Sequence, residues 1–448
     1  MSLLLKYKII FQVTASCALY LVMGYFLERT EFNQILLVWL SLFILFYFLI
    51  KNTNLSLKSI IAISFIFRLI LLFQIPNLSQ DFYRFIWDGR MTLEGLNPYL
   101  TLPQNFIQRG LSPIPKALEL FNGMGQLNGS HYTNYPPILQ LCFLITSIFS
   151  GKSIFGSIIV LRIIVILADI GTVYFGIKLL KKLNLPVRNI FLYCLNPFII
   201  IEMTGNLHFE PVMLFFLIWS LYKLSQSKWV FSAVLIAFPI SVKLIPLLFL
   251  PLFYTYFIKK VNPLGLIKLF IFYSIIFFVT ILLFIPFYSH EFMNNFLNSL
   301  GLWFNNFEFN ASIYYVFREI GYFFRGWNEI KIIGLIMPIF TILFLSYLTF
   351  FRKNNSIKQL ITILLFGLTF YYFTTTTVHP WYLGSLIILC VFTKYRFPII
   401  WSFIIILSYQ TYANIPWEEN LWFVAIEYIV LYSYLIFELK KKNNILLT

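Results

Sequence analysis

Apolar runs long enough to cross a bilayer recur from the beginning of this chain to its end, and that repetition decides what it folds into. They fall near 9–27, 35–50, 59–76, 154–177, 190–204, 211–225, 229–257, 266–288, 331–350, 357–374, 381–393, 397–413 and 420–438, and the run 229–257 is long enough to cross twice. Spanning a hydrocarbon layer takes about 20 apolar residues in a helix, and only helices and closed barrels satisfy their own backbone there. With 60% of its 448 residues hydrophobic and 11% charged, the chain lacks the polar surface a water-soluble core of this size needs. The expectation is an all-α fold, a single polytopic transmembrane helical bundle of about 12–14 spans.

Charge sets an orientation. With Lys6 and Lys8 in the cytoplasm, the inner connections carry Lys51, Lys58, Lys178, Lys181, Lys182, Arg188, Lys223, Lys228, Lys259, Lys260, Arg352, Lys353, Lys358, Lys394, Arg396 and Lys440 to Lys442, with no acid among them. This is the positive-inside pattern. It accounts for the net charge of +16 by dispersing it over short connections, so the expected partner is the lipid bilayer and not nucleic acid. The pattern holds only if the short apolar stretch 136–150 adds no net crossing, so a re-entrant or surface-lying segment is expected there; Lys152 is the residue that fits least well. Two long polar connections, 77–135 and 289–330, then face outward, with short outer turns at 205–210, 375–381 and 414–419. Glu28, Arg29 and Glu31 follow the first span where a cleavable leader has small residues, so that span is expected to be retained. Cys17, Cys142, Cys194 and Cys390 all lie in apolar runs and form neither a metal spacing nor a disulfide framework. The 28 Tyr and 10 Trp suit an interfacial belt and equally a sugar-binding cleft.

Function concentrates in loops held by a rigid scaffold, and here the outer connections hold the chemically interesting residues. In the run Asp81-Phe82-Tyr83-Arg84-Phe85-Ile86-Trp87-Asp88, a helix would put Asp81, Arg84 and Asp88 on one face. Carboxylates near a low-dielectric boundary act as a general base or hold a divalent ion; an interfacial helix with a solubilising Asp–Arg pair is the plainer reading. His131, Tyr132 and Tyr135 precede Pro136-Pro137 and are candidates to line a pocket. Glu202, His208 and Glu210 bracket an outer turn, where charge near membrane depth marks function. Lys243 lies within the apolar run 229–257 between Pro239 and Pro246; a span and return would bring it to the outer face, suited to an anionic phosphate. Arg162 and Asp169 share a helical face and are expected to be structural. Residues 303–315 mix rings with Asn306, Glu308 and Asn310, a combination that stacks on and hydrogen-bonds a sugar. His379 stands at a helix start.

The order of these motifs resembles the polyprenyl-phosphate-sugar-dependent glycosyltransferases of the GT-C fold, the bacterial mannosyltransferase-like members above all, with a more distant similarity to the mannosyltransferase of GPI-anchor assembly. The resemblance rests on D-F-Y-R-F-I-W-D-G-R and G-L-N-P-Y between 81 and 99, Y-P-P-I at 135–138, R-I-I-V-I-L-A-D at 162–169, N-P at 196–197, G-N-L-H-F-E-P at 205–211, K-L-I-P at 243–246 and H-P-W-Y at 379–382. It implies GT-C-like extracytoplasmic loops bearing short surface helices, a sugar on a polyprenyl monophosphate as donor, a glycan or glycolipid acceptor, and Asp81 as the catalytic acid. Some relatives carry Asp-x-Asp where this chain has Ser79-Gln80-Asp81, which weakens the case for a bridged metal; a magnesium or manganese ion would have Asp81 and Asp88 for ligands.

The expected reaction is inverting transfer of a sugar, by family mannose. Asp81 would act as base, Lys243 with His208 or Arg84 would face the phosphate, and Tyr135, His131, Asp88, Glu210, Asn306, Glu308, Asn310 and His379 would contact substrates. A transporter or flippase of lipid-linked sugars is the alternative. Such folds tend to show internal repeats and midplane charges on broken helices; no repeat is visible here and the acids gather in outer loops.

Overall fold

The computed structural model of the chain describes residues 3–446 except 53, 261–263, 306, 353–354 and 415, and leaves the side chains of 3–6, 259–260, 302–305 and 442–446 undescribed. Asn306, and Lys353 among the inner basic residues, therefore lie outside the described residues, as do the side chains of Lys6, Lys259, Lys260 and Lys442. Among the described residues the fold is all helical, with one isolated parallel bridge between Phe309 and Thr377.

Among the described residues seven helices are long and apolar enough to cross a membrane: Tyr7–Tyr25, Phe32–Lys51, Ile154–Lys182, Gly265–Phe287, Ile330–Phe351, Ile357–Thr374 and Leu421–Lys441. This is fewer than the apolar runs in the sequence, and the prolines explain part of the difference. The run 229–257 splits into a helix Trp229–Ile240 with Pro239 near its end, a turn, and a 3-10 segment Ile245–Leu252 containing Pro246 and Pro251; a proline inside a helix removes a hydrogen bond and clashes with the preceding turn. The run 190–225 breaks differently. A π-helix, Ile199–Gly205, and the helix Glu210–Ser225 meet at 113°. Leu207, in the gap, takes a φ of +61°, a conformation disfavoured for a residue with a Cβ and found where the surroundings enforce it. Serine caps start several helices: Ser56 accepts from Ser59 N–H and Ser153 from Gly156 N–H, and Ser356 forms a capping box with Gln359.

Buried charge fastens the bundle. Arg68 Nε donates to Asp169 Oδ2 at 2.7 Å with both side chains fully buried, and Tyr193 donates to the other carboxylate oxygen at 2.6 Å. Arg162 donates to the carbonyls of Leu72, Gln74, Thr204 and Gly205 at 2.7–3.0 Å. These carbonyls belong to helix ends that have no partner within their own helix, so both Arg162 and Asp169 are structural, as the sequence suggests.

These bonds also fix which way segments run. Helix Ile154–Lys182 has Arg162 beside residues 72–74 and Gly176 against Ile190. Helix Pro137–Ser150 starts where Ile138 N–H donates to the Ser241 carbonyl and finishes where Ser150 meets Ser157 at 2.8 Å, beyond Arg162. At 14 residues it is shorter than the helices that are long enough to cross. It packs instead on helix Asp81–Leu93, where a Cβ on Gly89 would come within 2.2 Å of the Phe143 carbonyl oxygen and where Phe85 and Phe143 stack at 4.8 Å.

Candidate active site

A cavity of about 950 Å³ opens where the ends of many segments meet. Asp81, Tyr135, His208, Lys243, Glu308 and His379 all line it, although they are scattered over some 300 residues of chain.

Asp81 is the first residue of helix Asp81–Leu93. Its Oδ1 accepts from Asn128 Nδ2 at 3.3 Å, and its backbone N–H donates to Ser79 Oγ at 3.3 Å. Burial pushes its carboxyl above the ordinary value of 3.8, against the Asn128 hydrogen bond and the cations Lys243 and Arg29, which pull it down. A carboxylate with a raised pKa is a stronger base when ionised, which suits proton abstraction from a hydroxyl.

Lys243 sits in the turn between Ile240 and Ile245 and lines the cavity, although neither segment that flanks it is long enough to count as a span. Its ammonium pairs with Glu210, which is 1% exposed at the first residue of helix Glu210–Ser225, and lies 5.3 Å from the centre of the Tyr382 ring. Apolar Leu244, Ile245, Leu247 and Leu248 continue the cavity wall from it.

Rings build another wall. His208 stacks on Trp381 at 3.9 Å, Trp381 on His379 at 4.4 Å and His379 on Phe309 at 5.3 Å. The bridge from Phe309 to residues 376–378 carries Phe309 N–H to the Thr376 carbonyl at 3.2 Å and Val378 N–H to the Phe309 carbonyl at 2.9 Å, which holds this stack in register. Flat apolar faces of this kind are what a sugar ring packs on. Glu308 accepts from Arg318 at 2.7 Å and from Tyr314 at 2.6 Å. Glu419 accepts from the Asn310 N–H at 2.6 Å and from Tyr315, and burial pushes its carboxyl up.

Five expected substrate contacts are not in this wall. Arg84 and Asp88 do share a helical face, but that face turns into the protein: Arg84 Nε donates to Asp88 Oδ1 at 2.8 Å, its NH1 goes to the carbonyls of Asn128 and His131, and Gln140 donates to Asp88 Oδ2 at 3.2 Å. His131 Nδ1 donates to the Leu127 carbonyl at 2.6 Å, and burial with Arg84 nearby drops its pKa to about 4, so it is a neutral loop fastener. Glu210 lies behind Lys243. Asn310 is fully buried, with Nδ2 on Glu427 at 3.1 Å and a φ of +46° that asparagine tolerates well. The donor set does not suit a metal bridged by Asp81 and Asp88, because Asp88 spends both oxygens on Arg84 and Gln140 and sits about 10 Å further along the helix. Among the described residues no three His, Cys, Asp or Glu side chains come together as a ligand group.

The cavity also includes Trp381 and Tyr382 of the H-P-W-Y motif, and residues the motifs did not flag: Arg29, Asn128, Arg318, Tyr412, Trp417, Glu418 and Glu419. One signal was available for two of them. Arg29 and Arg318 are cations on the acid-rich side of a chain whose other cations mostly gather on the opposite side.

No curated protein matches the chain with significance. Residues 13–259 match the family model described as alpha-(1->6)-mannopyranosyltransferase, N-terminal domain, a stretch that contains Arg29, Asp81, Tyr135, His208 and Lys243. The match covers more than half of the chain, and with the helical membrane fold around a ring-lined cavity it identifies a mannosyltransferase: the chain belongs to the alpha-(1->6)-mannopyranosyltransferase family.

Proposed function

We propose that this mannosyltransferase takes mannose from a polyprenyl-phosphate donor and adds it, with inversion and in α-(1→6) linkage, to a lipid-linked or cell-envelope glycan on the extracytoplasmic face. The observation that carries the reading is the convergence of Asp81 and Lys243 on one cavity whose wall beside the ammonium is apolar. That is the arrangement a phosphate carrying a hydrocarbon tail requires.

In this reading the acceptor hydroxyl gives its proton to Asp81 as its oxygen attacks the anomeric carbon. The bond from that carbon to the phosphate oxygen breaks, and its electron pair leaves with the polyprenyl phosphate. Lys243 faces the growing negative charge, and a preplaced cation at such a position stabilises the transition state more than the ground state. The stack from His208 to Phe309 orients the sugars. Inversion of a β-linked donor gives the α linkage named for the family.

The sidedness argument joins charge to architecture. Arg188 donates to the Leu55 carbonyl at 2.9 Å, Asn189 to Val391 at 3.1 Å and Arg396 N–H to Glu438 at 2.8 Å, which gathers the ends near 52–55, 188–189, 391–396 and 438. Helices Leu57–Ile70, Ile357–Thr374 and Leu383–Val391 each have one end near this basic set and lead toward the cavity at the other. The positive-inside rule supports a basic set in the cytoplasm and a cavity that opens outside.

The test is Asp81→Asn assayed in purified membranes with polyprenyl-phosphate mannose. Loss of a general base lowers the rate by about 10²–10⁴-fold, with protein level and helicity unchanged. Full activity in the variant would remove Asp81 from the mechanism.

A further inference from the structure

Arg29 is the cation of this cavity that has no carboxylate of its own. Lys243 is compensated by Glu210, and Arg318 by Glu308 and Glu319. Among the described residues no acid lies within ion-pair distance of Arg29. Its guanidinium instead lies between rings, 4.4 Å from the centre of Trp417 and 5.1 Å from that of Tyr412, and its NH2 donates to Gln80 Oε1 at 3.2 Å. Ring faces attract a cation without using its N–H donors, so the planar fork stays available for a second partner. It lines the cavity and is close enough to Asp81 to pull on its carboxyl.

We infer that Arg29 is a phosphate-binding residue of this enzyme, the group that takes hold of the donor's phosphodiester and of the polyprenyl phosphate as it departs. The inference rests on the lipid-phosphate reading above and goes beyond it by assigning the uncompensated charge. An incoming anion gains little from Lys243, whose charge Glu210 already balances, until the leaving group becomes more negative than the donor was. Arg29 has no such balance. A guanidinium also offers two parallel N–H groups to two phosphate oxygens, which an ammonium does not. Trp417 and Tyr412 fix the plane of the fork, so ordering it on binding costs little.

The competing reading is structural. Gln80 accepts from Arg29 and donates from Nε2 to the Met124 carbonyl at 3.0 Å, so Arg29 also helps hold the residue before Asp81. Gln80→Ala separates the two roles, because it cuts that link and leaves the cation in place.

The experiment uses the full-length protein in detergent or liposomes. It measures turnover of polyprenyl-phosphate mannose, the KM for the acceptor, and direct binding of polyprenyl phosphate. Arg29→Ala is expected to lower kcat on the order of a hundredfold and to weaken polyprenyl phosphate binding by about tenfold. Arg29→Lys should recover part of the binding, and Gln80→Ala should leave binding unchanged. Unaltered lipid-phosphate binding in Arg29→Ala, an effect confined to the acceptor KM, or a Gln80→Ala variant that reproduces the loss would overturn the assignment while the lipid-donor reading stands. A wild-type protein that neither binds nor uses the lipid phosphate would sink both.

Discussion

The ionisation of Asp81 is where the chemistry is set. Burial raises its pKa, while Asn128, Lys243 and Arg29 oppose the rise. A base works only when ionised, so activity is present above the raised pKa and is lost as pH falls through it. The acid limb of kcat/KM is therefore expected above the ordinary carboxylate value of 3.8. Removing Lys243 takes away a cation that favours the charged carboxylate, so in Lys243→Ala the limb should move to higher pH; a move to lower pH would contradict this electrostatic account. The same variant leaves Glu210 buried without its partner, a situation that costs about 3–5 kcal/mol. The double variant Lys243→Ala/Glu210→Gln should recover most of the stability and none of the activity. If thermal unfolding of the single variant matches wild type, the Lys243–Glu210 pair is not what holds that turn.

At the scale of elements, the loop 307–312 depends on the helix Leu421–Leu446, far beyond the residues matched to the family model. Asn310 joins them: its side chain donates to Glu427, its carbonyl accepts from Tyr428 at 2.7 Å, and its N–H donates to Glu419. Glu427 also accepts from Trp401 at 2.8 Å. Asn310→Ala removes a buried bond to a carboxylate, worth about 1.5–3 kcal/mol, and its positive φ adds strain for alanine. Because Phe309 carries the ring stack, the expected phenotype is lower thermal stability together with a raised acceptor KM. Polyprenyl phosphate binding should be near wild type, and its loss would argue that this loop serves the donor side.

Some elements are legible in the sequence and others are not, for physical reasons. Apolar length and proline positions are local properties of the chain, so the helical bundle and the bend at Lys243 were legible. Helical periodicity correctly put Arg84 and Asp88 on one face, but periodicity does not say which neighbour that face meets, and here it meets Asn128, His131 and Gln140. Arg29, Tyr412, Trp417 and Glu419 reach the cavity from opposite ends of the chain, in loops or, for Tyr412, near the end of the 3-10 segment Ile405–Ala413, with no spacing to mark them. Their proximity is a tertiary fact.

For the whole molecule, the bundle gathers basic connections near one end and a ring-lined, acid-bearing cavity near the other, and the proposal that the cavity faces outward rests on that separation. In sealed vesicles of known orientation, a cysteine placed at Glu418 should react with an impermeant thiol reagent from the outside and one placed at Lys394 should not; the reverse pattern would put the cavity in the cytoplasm. The most direct measurement offers the purified protein two donors at once, polyprenyl-phosphate mannose and nucleotide-linked mannose carrying different isotopes, with an unlabelled mannoside acceptor and Asp81→Asn as the control. The account predicts product bearing only the isotope from the lipid donor, in α linkage, and none from the variant. Product labelled from the nucleotide sugar, or equal transfer by the variant, would contradict it.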